Sequence, residues 1–133
     1  MPAAPLHVAP PPRIFLADDS PAIRERVADL LVRRAMHVVG EAATPQASIE
    51  GILAARPDVV VLDVHLEGGT GLQVLRAVRE AQPGIAFVVF SNNASAPYRK
   101  RYLGEGALRF LDKSSEFDQL AGAVAEASAA ALH

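Results

Sequence analysis

Five short strand-like runs recur along this chain, and each is followed by a stretch that reads as a helix. The runs are "IFLA" (14–17), "HVVGEA" (37–42), "VVVL" (59–62), "IAFVVF" (85–90) and "LRFL" (108–111). The fourth has no polar break, as expected of a strand covered on both faces. Between them, Ile23, Val27, Leu30 and Leu31 give residues 21–35 one inward face, and Ile49, Ile52 and Leu53 form a short helix ending before Pro57. Leu72, Leu75 and Val78 mark a third helix stopped at Pro83-Gly84; residues 96–104 form a fourth, and Phe117, Leu120 and Val124 lead an alanine-rich fifth. Ser20-Pro21 and Thr44-Pro45 each supply a cap followed by proline at the first helical position. Strands and helices in strict alternation, joined by short loops, predict an α/β fold: a doubly wound, five-stranded parallel sheet with helices on both faces.

The 133 residues suit one domain, and no internal repeat is evident. Residues 1–12 hold five prolines and read as a flexible tail; residues 13–130 form the folded domain, and 131–133 its C-terminal end. A net charge of −2 gives no global attraction to nucleic acid or to an anionic membrane. The absence of cysteine excludes disulfides, thiolate catalysis and cysteine-ligated metals, and the four histidines lack metal-ligand spacing. No apolar run reaches the roughly 20 residues a membrane-spanning helix needs, and the N-terminus lacks the cationic start of a signal peptide, so a cytoplasmic protein without membrane insertion is expected.

Polar residues that matter in such a sheet gather outside the carboxyl ends of its strands. There the chain places Asp18-Asp19 after the first strand, Asp63 after the third, Ser91 after the fourth and Asp112-Lys113 after the fifth. Three converging carboxylates repel one another unless a cation neutralises them. An oxygen-only donor set suits Mg²⁺, which takes one or two protein carboxylates and leaves positions for water or phosphate oxygens. A carboxylate beside a metal, an ammonium and a hydroxyl is a site for covalent phosphoryl transfer, with Asp63 as nucleophile.

Taken in order, "LADDS", "VVLDVHL" with Gly71, "VVFSNN", and "RFLDKS" after "EGA" resemble the receiver domains of bacterial response regulators in two-component signalling, over residues 13 to about 130. The resemblance implies the (βα)5 flavodoxin-like fold and a phosphoryl group accepted from a sensor histidine kinase or a histidine phosphotransfer protein. It implies Asp63 as phosphoacceptor, with Mg²⁺ held by Asp18, Asp19, Asp63 and the backbone carbonyl of His65. Ser91 resembles the switch hydroxyl, Lys113 the invariant lysine and Phe110 the switch aromatic. Output is then expected through the face formed by the fourth helix, fifth strand and fifth helix, toward a downstream protein. Such a protein is no enzyme toward external substrates and catalyses only its own phosphorylation and dephosphorylation.

Three positions depart from the family's pattern. Ser114 replaces the proline after the lysine, usually joined by a cis peptide. Glu67 with Gly68-Gly69 replaces a proline-containing loop, which predicts a looser and more acidic segment. Asn92 stands where a small residue is usual, and Asn93 and His65 lie where the family varies its dephosphorylation rate.

Blander readings exist for each residue alone. Asp19 can simply cap a helix, Ser91 can begin a loop, Phe110 can be core, and "RKR" (99–101) reads as a solvated basic face. The leading expectation is a stand-alone single-domain regulator, because the last helix ends near residue 130; it acts in trans or as a phosphate sink, without direct nucleic-acid contact. The alternative is a degenerate receiver serving as a phosphorylation-independent binding module. An aspartyl-phosphate phosphatase is disfavoured because such enzymes carry Asp-x-Asp after the first strand, where this chain has adjacent aspartates. A flavin-binding module is disfavoured because no phosphate-cradling Ser/Thr/Gly loop follows the first strand of this chain.

Overall fold

The computed structural model describes residues 10–131. Residues 1–9 of the expected tail and the last two residues lie outside that range, and Pro10–Pro12 carry no regular structure. Five strands form one parallel sheet: β1 (Arg13–Ala17), β2 (His37–Ala42), β3 (Val59–Leu62), β6 (Ala86–Ser91) and β7 (Arg109–Asp112), in the order β2-β1-β3-β6-β7. The helices are α1 (Pro21–Arg33), α2 (Pro45–Ala55), α3 (Gly71–Ala81), α4 (Ala96–Gly104) and α5 (Leu120–Ala130). The doubly wound architecture therefore stands as expected.

The two-residue period of the strands divides the core into two layers. Val59, Val61, Val88 and Phe90 face α1 and α5, packing on Val27, Leu31, Leu120 and Val124. Val60, Leu62, Phe87 and Val89 face α2, α3 and α4, packing on Ile52, Val74, Leu75 and Tyr102. Two alanines of α5, Ala123 and Ala127, belong to the first of these layers, and Ala121 is also buried, while Ala125, Ala129 and Ala130 are exposed. Ser20 and Thr44 accept hydrogen bonds from Ile23 N–H (3.2 Å) and Ala47 N–H (3.1 Å). Each such cap contributes about 1 kcal/mol.

Several boundaries move. The fourth and fifth strands each sit one residue later than the apolar runs, so Ser91 and Asp112 close them as paired residues. The fifth helix is preceded by a 3-10 turn, Phe117–Gln119, whose aromatic ring lies 5.7 Å from Phe90 and under the Arg26 guanidinium at 4.2 Å.

The loop after Asp63 corrects an expectation. It is a two-stranded antiparallel hairpin, β4 (His65–Leu66) and β5 (Gly69–Thr70), closed by Glu67 and Gly68. Gly68 takes φ +80°, a left-handed conformation that costs glycine little. Glu67 N–H donates to the Ala43 carbonyl (2.9 Å), and Gly71 N–H donates to the Val64 carbonyl (2.8 Å). Backbone pairing thus orders a segment expected to be looser.

Candidate functional site

Parallel register delivers the acids to one edge. Ala17 pairs with both Ala42 and Leu62, and Leu62 pairs with Val89, so the first and third strands end level with each other. The next residues continue the ladder: Asp18 N–H donates to the Ala42 carbonyl (3.0 Å) and Asp63 N–H to the Ala17 carbonyl (2.9 Å). Asp18 and Asp63 are 6% and 7% exposed, each tied through its N–H to a neighbouring strand, while Asp19 faces solvent.

Lys113 closes the cluster. Its Nζ lies 2.6 Å from Asp18 Oδ2 and 2.8 Å from Asp63 Oδ2, with side chains almost wholly buried. The remaining oxygens accept backbone bonds: Asp18 Oδ1 from Ser20 N–H (2.9 Å) and Asp63 Oδ1 from Val64 N–H (2.7 Å). Burial pushes the Asp18 carboxyl above its ordinary range; the hydrogen bonds from Lys113 and Ser20 oppose that shift without cancelling it. For Lys113 burial works against the charge, but its bonds to Asp18 and Asp63 prevail and hold the ammonium above its usual value.

The Ser114 departure does not keep Lys113 from the site. Among the described residues there is no cis peptide bond, and the lysine nonetheless reaches both carboxylates. Hydrogen bonds hold the turn: Asp112 Oδ1 accepts from Ser114 N–H (2.8 Å) and Oγ–H (2.6 Å). Lys113 N–H donates to the Ser91 carbonyl (3.1 Å).

One carboxylate oxygen from each of Asp18, Asp19 and Asp63 lies within 4.8 Å of the other two. Opposed ligands of an octahedral Mg²⁺, at about 2.1 Å each, span about 4.2 Å, so this oxygen-only set fits a hard divalent cation with little movement. Ser91 is fully buried, and its Oγ accepts from Asn93 N–H (3.1 Å), which turns the hydroxyl toward its own loop. Phe110 is buried, with its ring 6.0 Å from that of Tyr102. His65 is exposed at the start of the hairpin, its ring edge-on to Tyr98 at 6.1 Å, and Asn92 is exposed.

A family profile described as the response regulator receiver domain matches residues 14–125. The chain belongs to this receiver family. Its relatives include the DNA-binding transcriptional activator DevR/DosR of Mycobacterium tuberculosis, 31% identical over 88% of this receiver and 54% of that protein. The probable transcriptional regulatory protein NarL of the same organism is 34% identical over 84% of the receiver and 52% of its own length. The chain thus spans about half the length of these curated relatives. Among solved structures, the signal receiver domain of the putative response regulator NarL from M. tuberculosis superposes with a TM-score of 0.83 at 32% identity, covering 91% of this chain and 98% of that one. A LuxR-family two-component response regulator from Aurantimonas sp. gives 0.85 at 29% identity, covering 90% and 86%.

Sequence reasoning missed several residues that shape this receiver's site. Arg24 on α1 donates through Nη1 to the Asp18 carbonyl (2.6 Å) and through Nε to Glu41 Oε1 (3.1 Å), bracing the Asp18-Asp19 peptide. A cation on the first helical turn after an acidic strand end was the available signal. The "RKR" segment also needs correction. Lys100 and Arg101 are exposed, but Arg99 is half-buried and bonded to backbone, because position 99 falls on the face of α4 that meets β7. Tyr102 is buried beside Phe110, and burial lifts its hydroxyl to a pKa of about 12.

Proposed function

We propose that this receiver accepts a phosphoryl group on Asp63 from the phosphohistidine of a sensor kinase or phosphotransfer protein. The observation that carries the reading is the Lys113 ammonium shared between Asp18 and Asp63 at the mouth of an acidic cluster. An Asp63 carboxylate oxygen attacks phosphorus, the phosphorus–nitrogen bond breaks, and the departing imidazole takes up a proton. Lys113 faces the charge gathering on the transferring oxygens. Mg²⁺, held by Asp18, Asp19, Asp63 and the His65 carbonyl, would supply Lewis-acid stabilisation of that charge. Ser91 would donate its hydroxyl to a phosphoryl oxygen, and Phe110 would carry the change to the α4-β7-α5 face.

On this reading the protein catalyses only its own phosphorylation and dephosphorylation, in the cytoplasm. Among the described residues no helix is long and apolar enough to cross a membrane. Its output is a protein contact on the α4-β7-α5 face, or the drain of phosphoryl groups from a kinase; the net charge of −2 supports a protein partner over direct nucleic-acid binding by this domain. The contacts of Lys113 weigh against a degenerate binding module, since Ser114 in place of the usual proline leaves the ammonium bonded to both Asp18 and Asp63.

The test uses phosphoramidate, a small phosphorus–nitrogen donor. With Mg²⁺ it is expected to leave a single phosphoryl group that hydroxylamine removes, as an acyl phosphate requires. A hydroxylamine-resistant adduct, or none, argues against the reading.

A further inference from the structure

Helix α4 starts just after the loop that leaves Ser91, and its first turn carries an arginine turned back toward the protein. Arg99 Nε donates to the Ala94 carbonyl (2.9 Å), Nη1 to the Phe110 carbonyl (2.9 Å) and Nη2 to Glu116 Oε1 (3.2 Å). Its guanidinium also lies 5.3 Å from the centre of the Phe110 ring. The same Glu116 oxygen accepts from Asp112 N–H at 2.9 Å, one residue before Lys113. That backbone bond, with Arg99 second, holds the Glu116 carboxyl below its ordinary range, so the acceptor is charged.

These acceptors belong to three different segments. Ala94 lies in the loop following Ser91, Phe110 is on β7, and Glu116 is in the turn following Lys113. A planar fork with five N–H donors can hold all of them at once, which a lysine ammonium on a flexible stem cannot do in the same geometry.

We propose that Arg99 is a positioning residue that couples the acceptor site to helix α4. This rests on the phosphoacceptor reading of Asp63. Without a phosphoryl group, Ser91 Oγ is tied to Asn93 N–H within its own loop. With one present, the hydroxyl turns to donate to a phosphoryl oxygen and the loop is released from that bond. The Ala94 carbonyl then leaves the guanidinium, and the first turn of α4 loses one anchor while the Phe110 and Glu116 arms shift with it. A linkage of this kind needs an element with two arrangements that both sites bias, and the first turn of α4 is that element.

The experiment measures amide hydrogen exchange across residues 92–104, with and without phosphorylation by a small acyl phosphate and Mg²⁺, while intact mass gives the phosphorylated fraction. In wild type, exchange in the first turn of α4 is expected to rise roughly tenfold on phosphorylation, the scale of one net hydrogen bond lost. Arg99→Met is expected to reach the same phosphorylated fraction, to exchange fast already without phosphate, and to change less than about twofold on phosphorylation. Arg99→Lys keeps the charge without the fork and is expected to match Met. Glu116→Gln weakens one arm and provides a milder variant, in which the phosphorylation-dependent change shrinks. If Arg99→Met and Glu116→Gln exchange faster but keep the wild-type phosphorylation-dependent change, Arg99 is merely structural and the proposal is overturned. It is also overturned if phosphorylated wild type shows no rise, a result that leaves the acceptor reading intact. Failure of wild type to take up any phosphoryl group instead overturns the acceptor reading, and this proposal with it.

Discussion

Lys113→Met is expected to lower folding stability by about 3 kcal/mol in metal-free buffer, because breaking a buried ion pair strands its partner charge. Here two carboxylates are stranded, Asp18 and Asp63, both under one-tenth exposed and both bonded to the same Nζ. Mg²⁺ is expected to restore much of the loss, since a cation bound only by the folded state stabilises it by mass action. Urea titrations with and without Mg²⁺ read both effects. The rate of phosphoryl uptake is expected to fall by about 10²-fold even with metal present, the usual cost of removing one preorganised charge from a transition state. The pH dependence has a definite sign. The folded pKa of Lys113 is raised, so its stabilisation is fully present below the unfolded value of 10.5 and is lost as pH climbs through the higher folded value. The gap between wild type and variant should therefore hold across neutral pH and close in strong alkali. Identical urea midpoints at pH 7 without metal would contradict this account of the cluster.

Gly71→Ala is expected to be nearly as damaging, for a steric reason. A Cβ at Gly71 would lie 2.1 Å from the Asp63 carbonyl oxygen and 3.1 Å from Leu62 Cγ. The first of these is backbone and cannot swing aside. Gly71 N–H also donates to the Val64 carbonyl, so the start of α3 is tied to the residue after Asp63. Overpacking of this kind costs about 2–3 kcal/mol, and relief requires the Asp63 peptide to move. A thermal melt should show the loss, and Mg²⁺ titration should show weaker binding. Gly104→Ala is the control: it ends α4, a Cβ there meets nothing within 4 Å, and its effect should stay within about 1 kcal/mol. Equal melting temperatures for the two variants would sink the close-approach argument.

The parts of this structure legible in the sequence are those carried by periodicity and punctuation. Val59 to Leu62 reads as a buried strand because its apolar run is unbroken, and residues 96–104 form the expected helix, with proline near its start. The convergence of Asp18, Asp19, Asp63 and Lys113 was readable because parallel strands share one polarity. The hairpin at His65–Leu66 and Gly69–Thr70 was not, since strands of two residues leave no alternation to detect. Arg99 was hidden for a related reason. Three consecutive basic residues look alike in sequence, and the helical phase that separates Arg99 from Lys100 and Arg101 becomes meaningful only once β7 and its following turn are in place. The reach of Lys113 past a serine was equally illegible, because it depends on Asp112 bonding the Ser114 backbone and hydroxyl.

The most direct test of the central claim is intact-mass analysis of wild type and Asp63→Asn, side by side, after incubation with a small acyl phosphate with and without Mg²⁺. The account predicts one phosphoryl increment in wild type, lost when Mg²⁺ is withheld and absent from Asp63→Asn under every condition. An equal increment in Asp63→Asn would place the phosphoryl group elsewhere and contradict the assignment of Asp63 as acceptor.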